Sequence, residues 1–442
     1  MRFYDREQEL MIIEEIHNES HKSSKMLVIT GRRRIGKTRL IQTALQDKKY
    51  LYFFISRKSE ALLCEEFVQM AVSEIGLTVI GKISRLSELF TLLFAFAKDR
   101  QLTVVIEEFQ ELLSVSPHFI SELQGLWDKN KNSSKLMLIV SGSVYSLLNR
   151  MFMSAKEPLF GRAELIMRLG AFPVKTLAKI LDDAGQLHEQ NLLTLYMVCG
   201  GIPRYVELMT DSDCLERSKL INRIFGVYSP FIEEGKNLLI EEFGKDYSIY
   251  FSILELIARG KTSRPEVESI LEKSTGAYLE RLETDYNLIS VFRPLNAKSG
   301  SRTIRYKLND PFIAFWFAWF YRYRSALEAN NLAYIQKQYL ENAPTYSGYW
   351  LQRLYQDLYL QSGKFTQVGS WWEKGFYNEV DLVAVDDLKK EVILAEIKLK
   401  KANIRISHLK LKAENLISQY PDFKPVFKAL SAENLLEDLR KW

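Results

Sequence analysis

A chain of 442 residues is longer than one hydrophobic core normally serves, so several cores are expected. With 47% hydrophobic and 26% charged residues it has a globular balance, and no stretch approaches the roughly 18 uninterrupted apolar residues of a membrane span. A net charge of +5 permits a nucleic-acid partner without demanding one, and three scattered cysteines, Cys64, Cys199 and Cys214, form neither a disulfide set nor a metal-ligand pattern.

The opening Met1-Arg-Phe-Tyr-Asp-Arg-Glu7 has no apolar signal core, so a cytoplasmic location without a membrane partner is expected. From Lys25 to Ser141, short apolar runs alternate with longer mixed segments, as in βα units of a parallel sheet. Met26–Thr30, Tyr50–Ile55, Leu102–Ile106 and Leu136–Val140 read as strands buried on both faces. Directly after the first of these stands Gly31-x-x-x-x-Gly36-Lys37-Thr38, followed by a helix opening at Arg39. In that context the pattern predicts a phosphate cradle for ATP. Gly31 and Gly36 let backbone N–H groups curl round phosphate oxygens, Lys37 reaches the β and γ phosphates, and the Thr38 hydroxyl takes Mg²⁺. Arg34 and Arg39 add positive charge to the expected nucleotide site.

The strand Leu102–Ile106 ends in Glu107-Glu108, delivering two carboxylates to the edge that faces the phosphates. Glu107 is expected to help hold magnesium and Glu108 to polarise the attacking water. Glu107 is one methylene longer than the usual aspartate. It either weakens magnesium placement or displaces a bridging water, so binding is the safer expectation and hydrolysis the further one. The next strand ends in Ser141-Gly142-Ser143, where Ser143 either senses the γ-phosphate or serves the turn.

These residues resemble the archaeal-type ATPase family, relatives of the AAA+ and STAND NTPases. Phe3-Tyr-Asp-Arg6-Glu7-Gln-Glu9-Leu10 is similar to the family's opening motif, which lies by the nucleotide base, and so implicates Arg6. Pro158-Leu-Phe-Gly161-Arg162 is similar to its Gly-Arg segment, and Gly200-Gly-Ile-Pro203 to its lid motif. The resemblance makes Arg162 a candidate phosphate contact, in cis or across a homo-oligomer boundary, against the alternative of a surface ion pair.

Residues 172–245 turn to helical spacing and are expected to form a lid on a 1–171 ATPase core. Residues 246–325 read as a winged helix-turn-helix closed by the aromatic helix Asp310–Tyr321. Arg293, Lys298, Arg302, Arg305 and Lys307 decorate the expected wing as DNA contacts would, whereas the helix Ala277–Tyr286 carries three acids and suits a protein partner.

Residues 326–442 are expected to form a further α/β domain, its helix at Gly348–Gln352 followed by strands Val380–Val385 and Val392–Leu399. Asp381, Glu396 and Lys398 come together if those strands pair, since residues two apart share a face. Two carboxylates and a lysine suit a second Mg²⁺ or a Mn²⁺ and a nuclease reaction, yet exposed strands often carry such residues. The segment is similar to the PD-(D/E)xK restriction-endonuclease fold that accompanies these ATPases. Gln352 stands where that family has a metal-completing glutamate, and Glu379 is the residue placed to compensate. Lys400, Lys401, Arg405, Lys410 and Lys412 form either a track for a phosphate backbone or a solvated face. The expected fold class is therefore α/β multidomain: a P-loop parallel-sheet core, a helical lid, a winged helix and a restriction-endonuclease-like C-terminal domain.

Overall fold

Runs of β-branched and aromatic residues set the strands, and two-sided burial follows from their lack of polar alternation. The computed structural model describes residues 1–243, 247–295, 297, 304–373 and 378–441, which pack as two compact units, Asp5–Gly170 and Met1–Tyr4 with Ala171–Trp442.

The first unit begins with α1 (Glu7–Ser20), β1 (Lys25–Thr30), α2 (Lys37–Ala44) and β2 (Tyr50–Phe54). Helices α3 (Glu60–Ile75) and α4 (Leu86–Phe96) lead to β3 (Leu102–Glu107). After it come α5 (Leu112–Val115), α6 (Pro117–Asn130), β4 (Leu136–Ser141), α7 (Tyr145–Met153) and β5 (Leu165–Arg168), a strand of 4 residues, too short to stand out in the sequence. The sheet order is β2-β3-β4-β1-β5 and every pairing is parallel, so all five carboxyl ends share one edge. Both β3 and β4 are buried throughout. One sheet face buries Phe53, Phe67, Phe90, Phe94 and Trp127 in an apolar core with α3, α4 and α6.

The second unit runs through α8 (Val174–Asp183), α9 (Glu189–Cys199), α10 (Pro203–Asp211), α11 (Arg217–Ile224) and α12 (Phe231–Phe243). Three helices follow, α13 (Tyr247–Ala258), α14 (Arg264–Leu271) and α15 (Gly276–Thr284), then an antiparallel pair, β6 (Ile289–Phe292) with β7 (Arg305–Leu308). The segment Asp310–Tyr321 is buried core: α16 (Pro311–Trp316), capped by the Asp310 carboxylate, continues into a π-helical turn over Phe317–Tyr321. Its Trp316 indole donates to the Ile232 carbonyl, 2.7 Å away. After α17 (Arg324–Glu328), α18 is a single 30-residue helix, Leu332–Gln361, beginning well before the expected Gly348 despite Pro344 in its interior.

A four-stranded sheet of β8 (Gln367–Trp372), β9 (Glu379–Asp386), β10 (Glu391–Lys398) and β11 (Lys424–Ser431) completes the unit. Its order is β11-β10-β9-β8, antiparallel except for the parallel β10–β11 pair. Val383 and Val385 of β9, with Val392 and Leu394 of β10, pack on α19 (Ile406–Lys412) and α20 (Glu414–Ile417) through Leu409 and Leu416. Leu382, Ala384, Ile393 and Ala395, on the other face, are equally buried. Among the described residues no helix is long and apolar enough to cross a membrane.

Candidate nucleotide site and a C-terminal ion-paired centre

The loop from Gly31 to Gly36 turns through backbone conformations that only glycine adopts freely. Gly31 has φ 151° and Gly36 φ 89°, and a Cβ on Gly31 would stand 2.8 Å from the Leu169 carbonyl. Arg34 holds φ 72° without that freedom, local strain of the kind often found at functional loops. The Lys37 ammonium is buried and donates to the carbonyls of Gly31 (2.8 Å) and Arg32 (3.1 Å), lying across the loop it follows. Arg39, one residue beyond Thr38, is exposed on the first turn of α2.

Strand β4 separates β1 from β3, yet the common sheet edge brings their ends together. The Thr38 hydroxyl donates to Glu107 Oε1 at 2.7 Å, and the Tyr52 phenol, from edge strand β2, donates to Glu107 Oε2. Burial, with the Glu107 carboxylate next in weight, pushes the Tyr52 phenol well above its ordinary value. A hydroxyl and a carboxylate are hard oxygen donors, so Thr38 and Glu107 fit a hydrated Mg²⁺.

Glu108 turns the chain with φ 54°, and its Oε2 accepts from Ser143 Oγ at 2.7 Å and from the Gln110 amide. Both donors bind the same oxygen. Gly142 is what allows this, because a Cβ there would lie 2.1 Å from Gln110 Oε1. Lys37, Thr38, Glu107, Glu108 and Ser143 thus gather at one edge of the sheet. Tyr52 and Gln110 were not foreseen. The positional signal for Tyr52 lies only in the sheet order, and that for Gln110 in its place two residues after Glu108.

Arg6 is buried, with its guanidinium on the Gly170 carbonyl and on Glu9, 3.1 Å away. Arg162 forms a two-toothed pair with Asp128 at 2.9 and 2.7 Å and also donates to the Pro158 and Phe160 carbonyls. Its fork is filled by a carboxylate from α6 and its own turn, as the ion-pair alternative expects.

In the second unit β9 and β10 pair antiparallel, and their register carries Asp381 opposite Glu396 just beyond the last recorded pair, Leu382 with Ala395. Both carboxylates are buried. Lys398 Nζ lies 3.1 Å from Asp381 Oδ2 and 3.5 Å from Glu396 Oε1, and Lys412 Nζ is 3.7 Å from the same Glu396 oxygen. Asp381 Oδ2 also accepts the Ile397 N–H at 2.8 Å. Burial would lower the Lys398 value, and the two carboxylates outweigh it, so the ammonium is held above its ordinary range. Glu396 Oε2 is buried and has no hydrogen-bond partner among the described residues.

The predicted trio therefore assembles, but as an ion-paired centre. Lysine stands between the carboxylates, and among the described residues no group of three ligating side chains suits a metal. The residues as arranged do not fit a divalent cation. Glu379 does not complete them, since it faces Arg305 at 3.9 Å. On α18 the residue that reaches the centre is Gln356, one turn beyond Gln352, donating to the Asp381 carbonyl at 3.1 Å.

Two expected wing cations are otherwise engaged. Arg305 lies over the Trp372 ring at 5.0 Å, and Lys307 lies over Phe292 at 4.7 Å, because alternate residues of β7 turn toward that aromatic pair. Lys298 and Arg302 lie outside the described residues, as does part of the segment between Trp371 and Glu379.

Residues 3–209 match the family model of an ATPase domain predominantly from Archaea, and residues 316–412 match a family of archaeal and bacterial proteins of unknown function. An uncharacterized protein of Methanocaldococcus jannaschii is 27% identical over 410 residues, which is 90% of this chain and 88% of that one. The Walker-type ATPase of Pyrococcus abyssi has a similar fold, with a TM-score of 0.54 and 19% identity over 71% of this chain and 96% of that one. A weaker likeness joins the ORC2 protein of Aeropyrum pernix, solved in ADPNP–ADP complexes, with a TM-score of 0.48 and 14% identity over 77% and 96% of the two chains.

Proposed function

The chain carries an ATPase domain of the predominantly archaeal family, and from that premise we propose an ATP-hydrolysing switch whose nucleotide state controls DNA binding by the second unit. The observation that carries the reading is the hydrogen-bonded set at the sheet edge, in which Thr38 meets Glu107 and Ser143 meets Glu108. Loop N–H groups and the α2 N-terminus receive the phosphates, aided by Gly31 and Gly36, and Lys37 neutralises the β and γ oxygens. Arg34 and Arg39 contribute charge around the triphosphate, and Arg6 serves the base side. Thr38 and Glu107 would hold magnesium, whose chemistry there is charge neutralisation on the phosphates. Glu108, fixed by Ser143 and Gln110, orients and polarises the attacking water.

Helices α13–α15 with β6 and β7 have the element order of a winged helix, and the connection from β10 to α19 carries exposed Lys400, Lys401 and Arg405, with exposed Lys410 following on α19. These features support binding to a phosphate backbone. Lys398 between Asp381 and Glu396 favours binding without cleavage. The second reading, a metal-dependent nuclease, is favoured by the buried Glu396 Oε2, which has no hydrogen-bond partner among the described residues, and requires Lys398 to move off both carboxylates.

Phosphate release measured for the wild type, Lys37→Ala and Glu108→Gln tests the first part. Glu108→Gln is expected to keep nucleotide binding and lose roughly 10²-fold or more in turnover. Turnover that survives both substitutions would remove the hydrolytic reading. Fluorescence anisotropy with duplex DNA, with and without ATP and across a salt series, tests the second part. Salt-independent or absent binding would point to a protein partner. Incubation with DNA and Mg²⁺ or Mn²⁺ separates the two C-terminal readings, since cleavage lost in Lys398→Ala would establish the nuclease.

A further inference from the structure

Glu107 stands where a shorter acid would hold its carboxylate with less freedom, and its extra methylene adds a rotatable bond. Two anchors remove that freedom. Thr38 binds Oε1 from the α2 side, and Tyr52 binds Oε2 from the opposite side of β3. Tyr52 is paired with Val105, two residues before Glu107 on β3. Two residues of strand rise about 6.6 Å, a span that a phenol crosses and a serine, threonine or asparagine does not. The same strand puts Phe54 beside Glu107 itself, and that ring is 46% exposed and has no hydroxyl, so the polar contact comes from the longer diagonal.

We infer that Tyr52 is a positioning residue for the magnesium–nucleotide site: its hydroxyl fixes Oε2 of Glu107, so that Oε1 stays on the Thr38 hydroxyl and the long acid takes up the place of a short one. The inference rests on the ATPase reading above. Tyr52 touches neither nucleotide nor metal in this role, and it acts through Glu107, as partners of metal-binding side chains commonly do. A charge-assisted O–H···O⁻ bond is directional enough to set the carboxylate rotamer.

The test is Tyr52→Phe, which keeps the ring and removes only the hydroxyl. Binding of a fluorescent ATP analogue is followed as MgCl₂ is titrated, and again in EDTA. The expected result is a magnesium midpoint raised roughly 10-fold, the lower end of what losing such a supporting partner costs, with affinity in EDTA unchanged. The same change is then made in Glu107→Asp, whose carboxylate withdraws by about 1.5 Å from the phenol. There Tyr52→Phe is expected to shift the midpoint less than about 2-fold, because the bond it removes is already lost. An unchanged midpoint in Tyr52→Phe, with the wild type responding normally to magnesium, overturns the role of Tyr52 alone. An equal shift in the Asp background also overturns it, since the effect would then come from packing. A wild type whose nucleotide affinity ignores magnesium overturns the reading of the whole site and this inference with it.

Discussion

Replacing Lys398 by methionine separates a structural counter-ion from a residue held ready for chemistry. Asp381 and Glu396 are buried to 9% and 8% exposure, and the ammonium sits 3.1 and 3.5 Å from them. Without it, Asp381 retains the Ile397 N–H and Glu396 retains Lys412 at 3.7 Å. Breaking a fully buried pair from one side costs about 3–5 kcal/mol. Lys398 has a side chain 38% exposed, so water screens part of the attraction and the expected loss falls to about 1–3 kcal/mol. Methionine keeps most of the apolar stem, which confines the change to charge. Urea unfolding followed by tryptophan fluorescence reads the loss, and Glu396→Gln in the same background should recover part of it, with a coupling of about 1 kcal/mol. A Lys398→Met protein as stable as wild type, or more stable, would refute the counter-ion account and favour a lysine strained for function.

Lys307 gives a pH signature. Burial, reinforced by the nearby Arg353 charge and opposed by Asp357, lowers its value to about 8. A folded value below the unfolded one means that the unfolded chain binds more protons between the two, so stability rises with pH from about 8 to the ordinary lysine range. Lys307→Met should therefore stabilise the protein at pH 7, by about 1–3 kcal/mol, and flatten the Lys307 share of that rise when unfolding curves are compared across pH. Gly235 lies inside α12, where alanine is ordinarily preferred, but a Cβ there would meet the Trp316 ring at 2.3 Å. Gly235→Ala is accordingly expected to destabilise by about 1–3 kcal/mol, seen as a lower urea midpoint, and a gain in stability would contradict the packing described.

The phosphate loop was legible because its chemistry is local: Gly31, Gly36, Lys37 and Thr38 are neighbours in sequence, between a strand and a helix whose patterns are strong. Glu107 and Glu108 were legible for the same reason. Their partners were not, since Tyr52 reaches Glu107 only through a sheet order that places β2 beside β3. Asp381, Glu396 and Lys398 were found from strand period, yet period cannot tell a lysine that serves a reaction from one that neutralises two buried acids. That difference depends on burial and on Lys412, contributed by helix α19. Arg305 and Lys307 looked like surface charge because alternation marks a face, while what covers that face, Phe292 and Trp372, comes from two other strands. The expected helix at Gly348–Gln352 is only part of the second half of α18, which starts at Leu332 and runs through Pro344, a residue that ordinarily interrupts a helix.

That helix ties together segments that would otherwise be separable. Tyr339 in its first half packs on Phe225, Phe315 and Trp319, and Tyr355 in its second half bonds the Ser431 carbonyl at the end of β11. A cut near residue 326 or 347 would strip aromatic partners from one side and the sheet's support from the other, so neither fragment keeps a closed core. Residues 171–442 should then melt in one cooperative step, and proteases acting on the native protein should find no cleavable hinge along α18.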